Sequence, residues 1–194
     1  MTEDNPYRIS TRDLGRRPGS MRTVELDVTV TEAMGNEVIA VPAGAEISLD
    51  LRLEAVLDGV LVTGTVDATA HGECVRCLDP VSQDLTIDFT ELFAYPGSQQ
   101  EAAEEEDAEE LPELDGDVAD LEGTITDAVV LALPFQPLCR PDCPGLCSVC
   151  GIHLADAEPG HAHEQLDPRW AALSALRETI EDESADEQDA GEQG

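Results

Sequence analysis

Lysine is missing from this chain: all ten basic residues are arginine, set against 43 Asp and Glu for a formal net charge of -33. So acidic a body repels phosphate backbones, which are bound through cationic side chains that displace counterions. Broad nucleic-acid binding by the whole surface is therefore not expected, and basic partners are favoured. Aromatic residues are scarce, at 3%, so the core has to be built from Val, Leu, Ile and Ala in thin layers. No uninterrupted apolar run approaches the roughly 20 residues of a membrane-spanning helix. The polar start MTEDNPYRISTRDLG also has no apolar signal core, and the expectation is a cytoplasmic protein with no membrane contact. Common catalytic signatures are absent as well: there is no Gly-rich phosphate loop, no serine in a nucleophile elbow and no acid pair in a recognisable setting. No enzyme activity and no small-molecule substrate are expected.

What is present divides the chain by character. Residues 1–22 form a basic arm in which Arg8, Arg12, Arg16, Arg17 and Arg22 face one acid, Asp13, over residues 8–22; these arginines are candidate contacts to RNA or an assembly partner. Residues 23–96 alternate with period two, through Val24, Leu26, Val28 and Val30, then Ile47, Leu49, Leu51 and Leu53, then Val60, Val62 and Val66, then Val81, Leu85, Ile87 and Phe89. That pattern predicts half-buried antiparallel strands, with turns at Met34-Gly35-Asn36, Pro42-Ala43-Gly44 and Asp58-Gly59. Residues 97–120 are rich in acids and predict an extended linker. In residues 121–180, Leu121, Ile125, Ala128, Val129 and Ala132 recur at helical spacing up to Pro134. A second helix is predicted from Asp167 as N-cap and Pro168 at the first helical position, with Trp170, Leu173, Leu176 and Ile180 on one stripe. Residues 181–194 predict an acidic, disordered tail. The fold class expected is α+β: a small curved antiparallel sheet or open barrel, one or two packed helices and a cysteine-rich metal-binding loop.

The six cysteines carry the chemistry. A chain of 194 residues can bury a core without covalent staples, and in a reducing compartment clustered cysteines serve metals or redox chemistry more often than disulfides. Cys74 and Cys77 stand as C-x2-C between two predicted strands, and Cys147 and Cys150 repeat the spacing before Gly151, which suits a positive φ. Two residues between cysteines let both sulfurs point into one tight turn and fill half a tetrahedral shell. With Cys139, Cys143, His161 and His163 there are eight candidate ligands, enough for two structural zinc ions. The favoured partition puts Cys74, Cys77, Cys139 and Cys143 around one ion and Cys147, Cys150, His161 and His163 around the other. A single local site from the four cysteines of CRPDCPGLCSVC, or one shared by the two C-x2-C pairs, are the alternatives. His71 and His153 are expected to face solvent. The spacings do not match ferredoxin iron–sulfur runs, and a C-x2-C between strands does not suit a thioredoxin-like pair.

The segments TRDLGRRPGSM, GECVRCLDPV, VVLALPFQPLCRPDCPGLCSVCG and DPRWAALSALR together resemble the YceD family of large ribosomal RNA subunit accumulation proteins. The resemblance implies a non-enzymatic ribosome biogenesis factor supporting accumulation of large-subunit (23S) ribosomal RNA. Its partners would be a large-subunit ribosomal precursor or a basic ribosomal protein. A zinc- or redox-responsive regulator is the competing reading, and a thiol oxidoreductase using Cys74 and Cys77 a third.

Overall fold

The computed structural model describes residues 5–98 and 111–163. It divides into two compact units, Met1–Gly145 and Leu146–Gly194. The second helix predicted from Asp167, with its stripe of Trp170, Leu173, Leu176 and Ile180, and the acidic tail lie outside the described residues.

Among the described residues, the first unit has eight strands: β1 (Arg8–Ser10), β2 (Met21–Thr29), β3 (Met34–Gly35), β4 (Ile39–Val41), β5 (Glu46–Ala55), β6 (Gly59–Glu73), β7 (Pro80–Ala94) and β8 (Val118–Asp120). One helix, α1 (Glu122–Ala132), follows them. The alternation that predicts strands is expressed directly in β5, where Ile47, Leu49, Leu51, Leu53 and Ala55 are buried and the residues between them face outward. Six strands form one antiparallel sheet around β6. Along one edge β6 pairs with all of β7; along the other it pairs first with β5 and then, at Gly72 and His71, with β4. Strand β2 lies outside β5, and β3 outside β4. The mostly antiparallel sheet with one helix and a cysteine-rich end matches the expected α+β class.

Gly64 decides how the core closes at the middle of β6. It stands opposite Leu51 and Phe89 in the two neighbouring strands, and a Cβ there would lie 2.7 Å from Leu51 Cδ2 and 2.8 Å from the Phe89 ring. The missing side chain is the space that the ring occupies. On the opposite face, acids are held by hydroxyls directly across the strands: Thr65 donates to Asp88 at 2.8 Å, Thr86 to Asp67 at 2.6 Å and Thr69 to Asp84 at 3.0 Å. Opposed pairs of this kind contribute roughly 0.2–1 kcal/mol each, and they give the face's carboxylates local partners.

Helix α1 begins after Asp120, whose carboxylate accepts from the Glu122 N–H, and it stops before Pro134, which cannot continue it. It packs on β7 and β3 through Ile125 and Val129, both fully buried, beside Leu121. Burying each such side chain is worth about 1.5–3 kcal/mol.

Two expectations are revised. Residues 111–120 are not an extended linker: the Leu114 N–H donates to the Ala94 carbonyl, Leu114 and Ala119 are buried, and β8 pairs with β1. Their few apolar side chains find the core, so only residues 99–110 of the predicted linker lie outside the described part. The basic arm is also folded in. Tyr7 and Ile9 are buried, and the arginines face the chain's own acids: Arg8 bonds Asp115 and lies 3.9 Å from Asp120, Arg12 is 3.7 Å from Asp117, and Arg22 is 3.6 Å from Asp13. Arg16 stacks over the Tyr95 ring at 4.8 Å, and Arg17 is exposed.

Among the described residues, no helix is long and apolar enough to cross a membrane.

Candidate metal centres

The β6–β7 connection is a tight knuckle. The Cys74 N–H donates to the Asp79 carbonyl at 2.8 Å, and the Leu78 N–H to the Cys74 carbonyl at 2.9 Å. Closing the turn so tightly needs a left-handed residue, and Leu78 supplies it at φ 63°. In the second unit the same pattern recurs: the Cys147 N–H donates to the Ile152 carbonyl at 2.8 Å, the Gly151 N–H to the Cys147 carbonyl at 2.9 Å, and Gly151 has φ 73°. The two C-x2-C motifs are therefore copies of one backbone device that turns two sulfurs and several N–H groups toward one point.

In the first unit, Cys139 and Cys143 from the loop after α1 meet the knuckle. The sulfurs of Cys74, Cys77, Cys139 and Cys143 lie within 4.8 Å of one another, with Cys74 and Cys143 at 3.8 Å and Cys77 and Cys139 at 3.5 Å. All are free thiols, far beyond the roughly 2.05 Å of a disulfide. A zinc–sulfur bond of about 2.3 Å would place tetrahedral corners about 3.8 Å apart, so the cage has the size of a thiolate-bound metal ion. Cys74, Cys77 and Cys143 are buried and Cys139 is exposed. The surrounding bonds hold the two segments together: the Val75 N–H donates to the Pro137 carbonyl at 3.0 Å, and the Arg76 guanidinium donates to the Cys143 carbonyl at 2.9 Å. Gly145, at φ +83°, passes close to the Arg76 carbonyl, which a Cβ would approach to 3.0 Å.

The second unit gathers Cys147, Cys150, His161 and His163, with their ligand atoms also within 4.8 Å of one another. Cys150 Sγ is 3.4 Å from His161 Nε2 and 3.2 Å from His163 Nε2, and the two Nε2 atoms are 3.1 Å apart. Zinc–nitrogen bonds of about 2.0–2.1 Å would separate two nitrogens by about 3.3 Å. Both rings therefore present the same nitrogen to a point shared with the sulfurs. This cluster is open to solvent: Cys150 and His163 are exposed, and Cys147 and His161 are half-buried.

Thiol acidity follows the knuckle geometry. Burial pushes the Cys74 thiol up, but N–H groups of Cys139, Arg76 and Cys77 outweigh it and bring it from the ordinary 9.0 to about 6. Cys147 is brought to about 6 by the N–H groups of Cys150 and Val149, with help from His161. Cys77 moves the other way. The Asp79 N–H favours its thiolate, yet burial and the Asp79 carboxylate, 3.2 Å from the sulfur, push the thiol up. In Cys139 the contact with Cys77 lowers the thiol, but desolvation of the sulfur among its neighbours and the Cys143 and Cys74 sulfurs outweigh it, so the thiol is raised. The backbone thus stabilises the thiolates of Cys74 and Cys147, and in the first cluster ionising Cys77 and Cys139 as well calls for a cation among the sulfurs.

Both clusters can hold a metal ion, and their membership coincides with the partition drawn from spacing. Of the two remaining histidines, His71 is exposed as expected; His153 is instead half-buried, beside its bridge to Leu146. The left-handed role of Leu78 and the clamp from Arg76 have no signal in the sequence beyond their place inside and just after the first C-x2-C.

Residues 62–177 match the family described as Large ribosomal RNA subunit accumulation protein YceD, a stretch that contains all eight candidate ligands. An uncharacterized protein of Mycobacterium tuberculosis is 52% identical over 169 residues, covering 87% of this chain and 80% of its own length. An uncharacterized protein of Mycobacterium leprae is 45% identical over 172 residues, covering 89% of this chain and 78% of its own. The Large ribosomal RNA subunit accumulation protein YceD of Haemophilus influenzae is 28% identical over 114 residues, 55% of this chain and 60% of its own length. No solved structure matches. The chain belongs to the YceD family.

Proposed function

We propose that this protein is a non-enzymatic ribosome biogenesis factor that supports accumulation of large-subunit (23S) ribosomal RNA and binds a basic ribosomal protein or a pre-ribosomal particle in the cytoplasm. The observation that carries the reading is the family match, together with the name of the Haemophilus relative. A formal net charge of -33 supports a basic protein partner over bare RNA, because a strongly acidic surface attracts cationic chains and speeds their encounter. The arginine arm has little free charge to offer RNA, since four of its five arginines already face the chain's own acids or a tyrosine ring.

The two clusters hold zinc in this reading. A four-cysteine set and a set of two cysteines with two histidines, each at tetrahedral separations, suit zinc, and such fully occupied shells leave no open position for a reacting water. Cys74, Cys77, Cys139 and Cys143 would tie the β6–β7 hairpin to the loop after α1; Cys147, Cys150, His161 and His163 would set the shape of the second unit. Zinc there supplies folding free energy and no chemistry on a substrate.

The test is depletion of the protein with measurement of large- against small-subunit ribosomal RNA, paired with recovery of tagged full-length protein at low and high salt. A selective fall in large-subunit RNA, and salt-sensitive recovery of a large-subunit precursor or basic ribosomal protein, is expected. Unchanged RNA ratios and recovery of neither partner at low salt would overturn the reading.

A further inference from the structure

The two clusters share one knuckle but differ in protection. In the first, three of four sulfurs are buried, with Cys74 at 0%, Cys77 at 4% and Cys143 at 3% exposure, and its ligands come from segments joined by the Arg76 and Val75 hydrogen bonds. In the second, every ligand lies between residues 147 and 163, and Cys150 is open to solvent with only imidazole nitrogens and one half-buried sulfur around it. The donor sets differ too. A four-cysteine cage that loses two thiolates still has two; a two-cysteine, two-histidine cage that loses both keeps only neutral imidazoles.

From this difference we infer that Cys147 and Cys150 form an oxidant-reactive modification site, at which hydrogen peroxide converts the pair to a disulfide and releases the second unit's metal ion while the four-cysteine cage, with three of its sulfurs buried, keeps its own. The inference rests on the reading that both clusters hold zinc. Cys150, the exposed sulfur, attacks one peroxide oxygen: an S–O bond forms, the O–O bond breaks, and the departing hydroxide takes a proton to become water. The Cys147 sulfur then attacks the resulting sulfenic acid; an S–S bond forms, the S–O bond breaks, and the second hydroxide is protonated to water. In sum two thiolates, one peroxide and two protons give one disulfide and two waters. The peroxide is reduced by the two electrons the sulfurs give up, and zinc leaves as the divalent cation with its charge unchanged. The C-x2-C spacing keeps both sulfurs in one turn and within 4.8 Å of each other, close enough for the pair to close locally.

The experiment titrates purified, zinc-loaded, full-length protein with hydrogen peroxide, counts released zinc with a colorimetric chelator, and maps oxidised cysteines by peptide mass spectrometry. Release of one of two ions, with a Cys147–Cys150 disulfide and unmodified Cys74, Cys77 and Cys143, is expected. Cys150→Ser should leave a protein with one ion that the same peroxide does not release. Simultaneous loss of both ions, first loss from the four-cysteine cage, or no loss at all would overturn the inference and leave the zinc reading standing. Protein that never holds an ion overturns the zinc reading, and the inference falls with it.

Discussion

Cys77 and Cys139 are 62 positions apart in sequence, yet their sulfurs lie 3.5 Å apart. That contact joins the β6–β7 hairpin to the loop after α1, as the proposed metal ion would require. Two thiols make a poor hydrogen bond, and Cys139 is exposed, so apolar burial contributes little there.

The exposure of Cys139 makes it a clean probe. A surface substitution away from any special feature costs within about 0.5 kcal/mol, whereas a structural zinc contributes about 10–16 kcal/mol of apparent folding free energy. Cys139→Ser is therefore expected to remove one ion and to destabilise the chain by several kcal/mol. Mass spectrometry of the native protein and hydrogen exchange at the Val75 amide check it. A variant with unchanged stability and unchanged Val75 protection would show that the four sulfurs meet without metal.

Leu78 carries a cost that its neighbours impose. A left-handed conformation costs a non-glycine residue roughly 1–2 kcal/mol, and the 61% exposure of the side chain means little burial is lost on removing it. Leu78→Gly should keep its metal and stay within about 1 kcal/mol of the natural protein, relief of strain offsetting the greater freedom of glycine in the unfolded chain. Leu78→Val, β-branched at the same φ, should lower stability and weaken metal retention. Denaturant unfolding of both variants decides; a valine variant as stable as the glycine one would remove the strained knuckle from the account.

In the core, the Phe89 ring uses the space over Gly64. Gly64→Ala should cost about 1–3 kcal/mol through overpacking. Adding Phe89→Leu should recover part of that loss, because the two residues share one volume. Additive costs in a double-mutant cycle would contradict the packing described for the centre of β6.

Much of this architecture was legible where a periodic signal runs long enough to average out. Ile47 to Leu53 alternates over a full strand, and Ile125 and Val129 sit one helical turn apart before Pro134, so β5 and α1 follow from the residues alone. Residues 111–120 do not: β8 has three residues, too few for a period, and the acids around Leu114 and Ala119 hide two core positions. The arginine arm misleads for a related reason, since its partners Asp115, Asp117 and Asp120 are distant in sequence. For the metal ligands, C-x2-C spacing marks each half-shell, but which loop meets which hairpin is a matter of tertiary contact. The Thr65–Asp88, Asp67–Thr86 and Thr69–Asp84 pairs likewise depend on strand register, which no single strand reveals.

Elemental analysis of the reduced, purified protein is the most direct check on two tetrahedral cages. Two zinc ions per chain are expected, falling to one in Cys139→Ser. A reduced chain that carries no metal, yet unfolds cooperatively with its Cys139–His163 segment protected, would contradict the account.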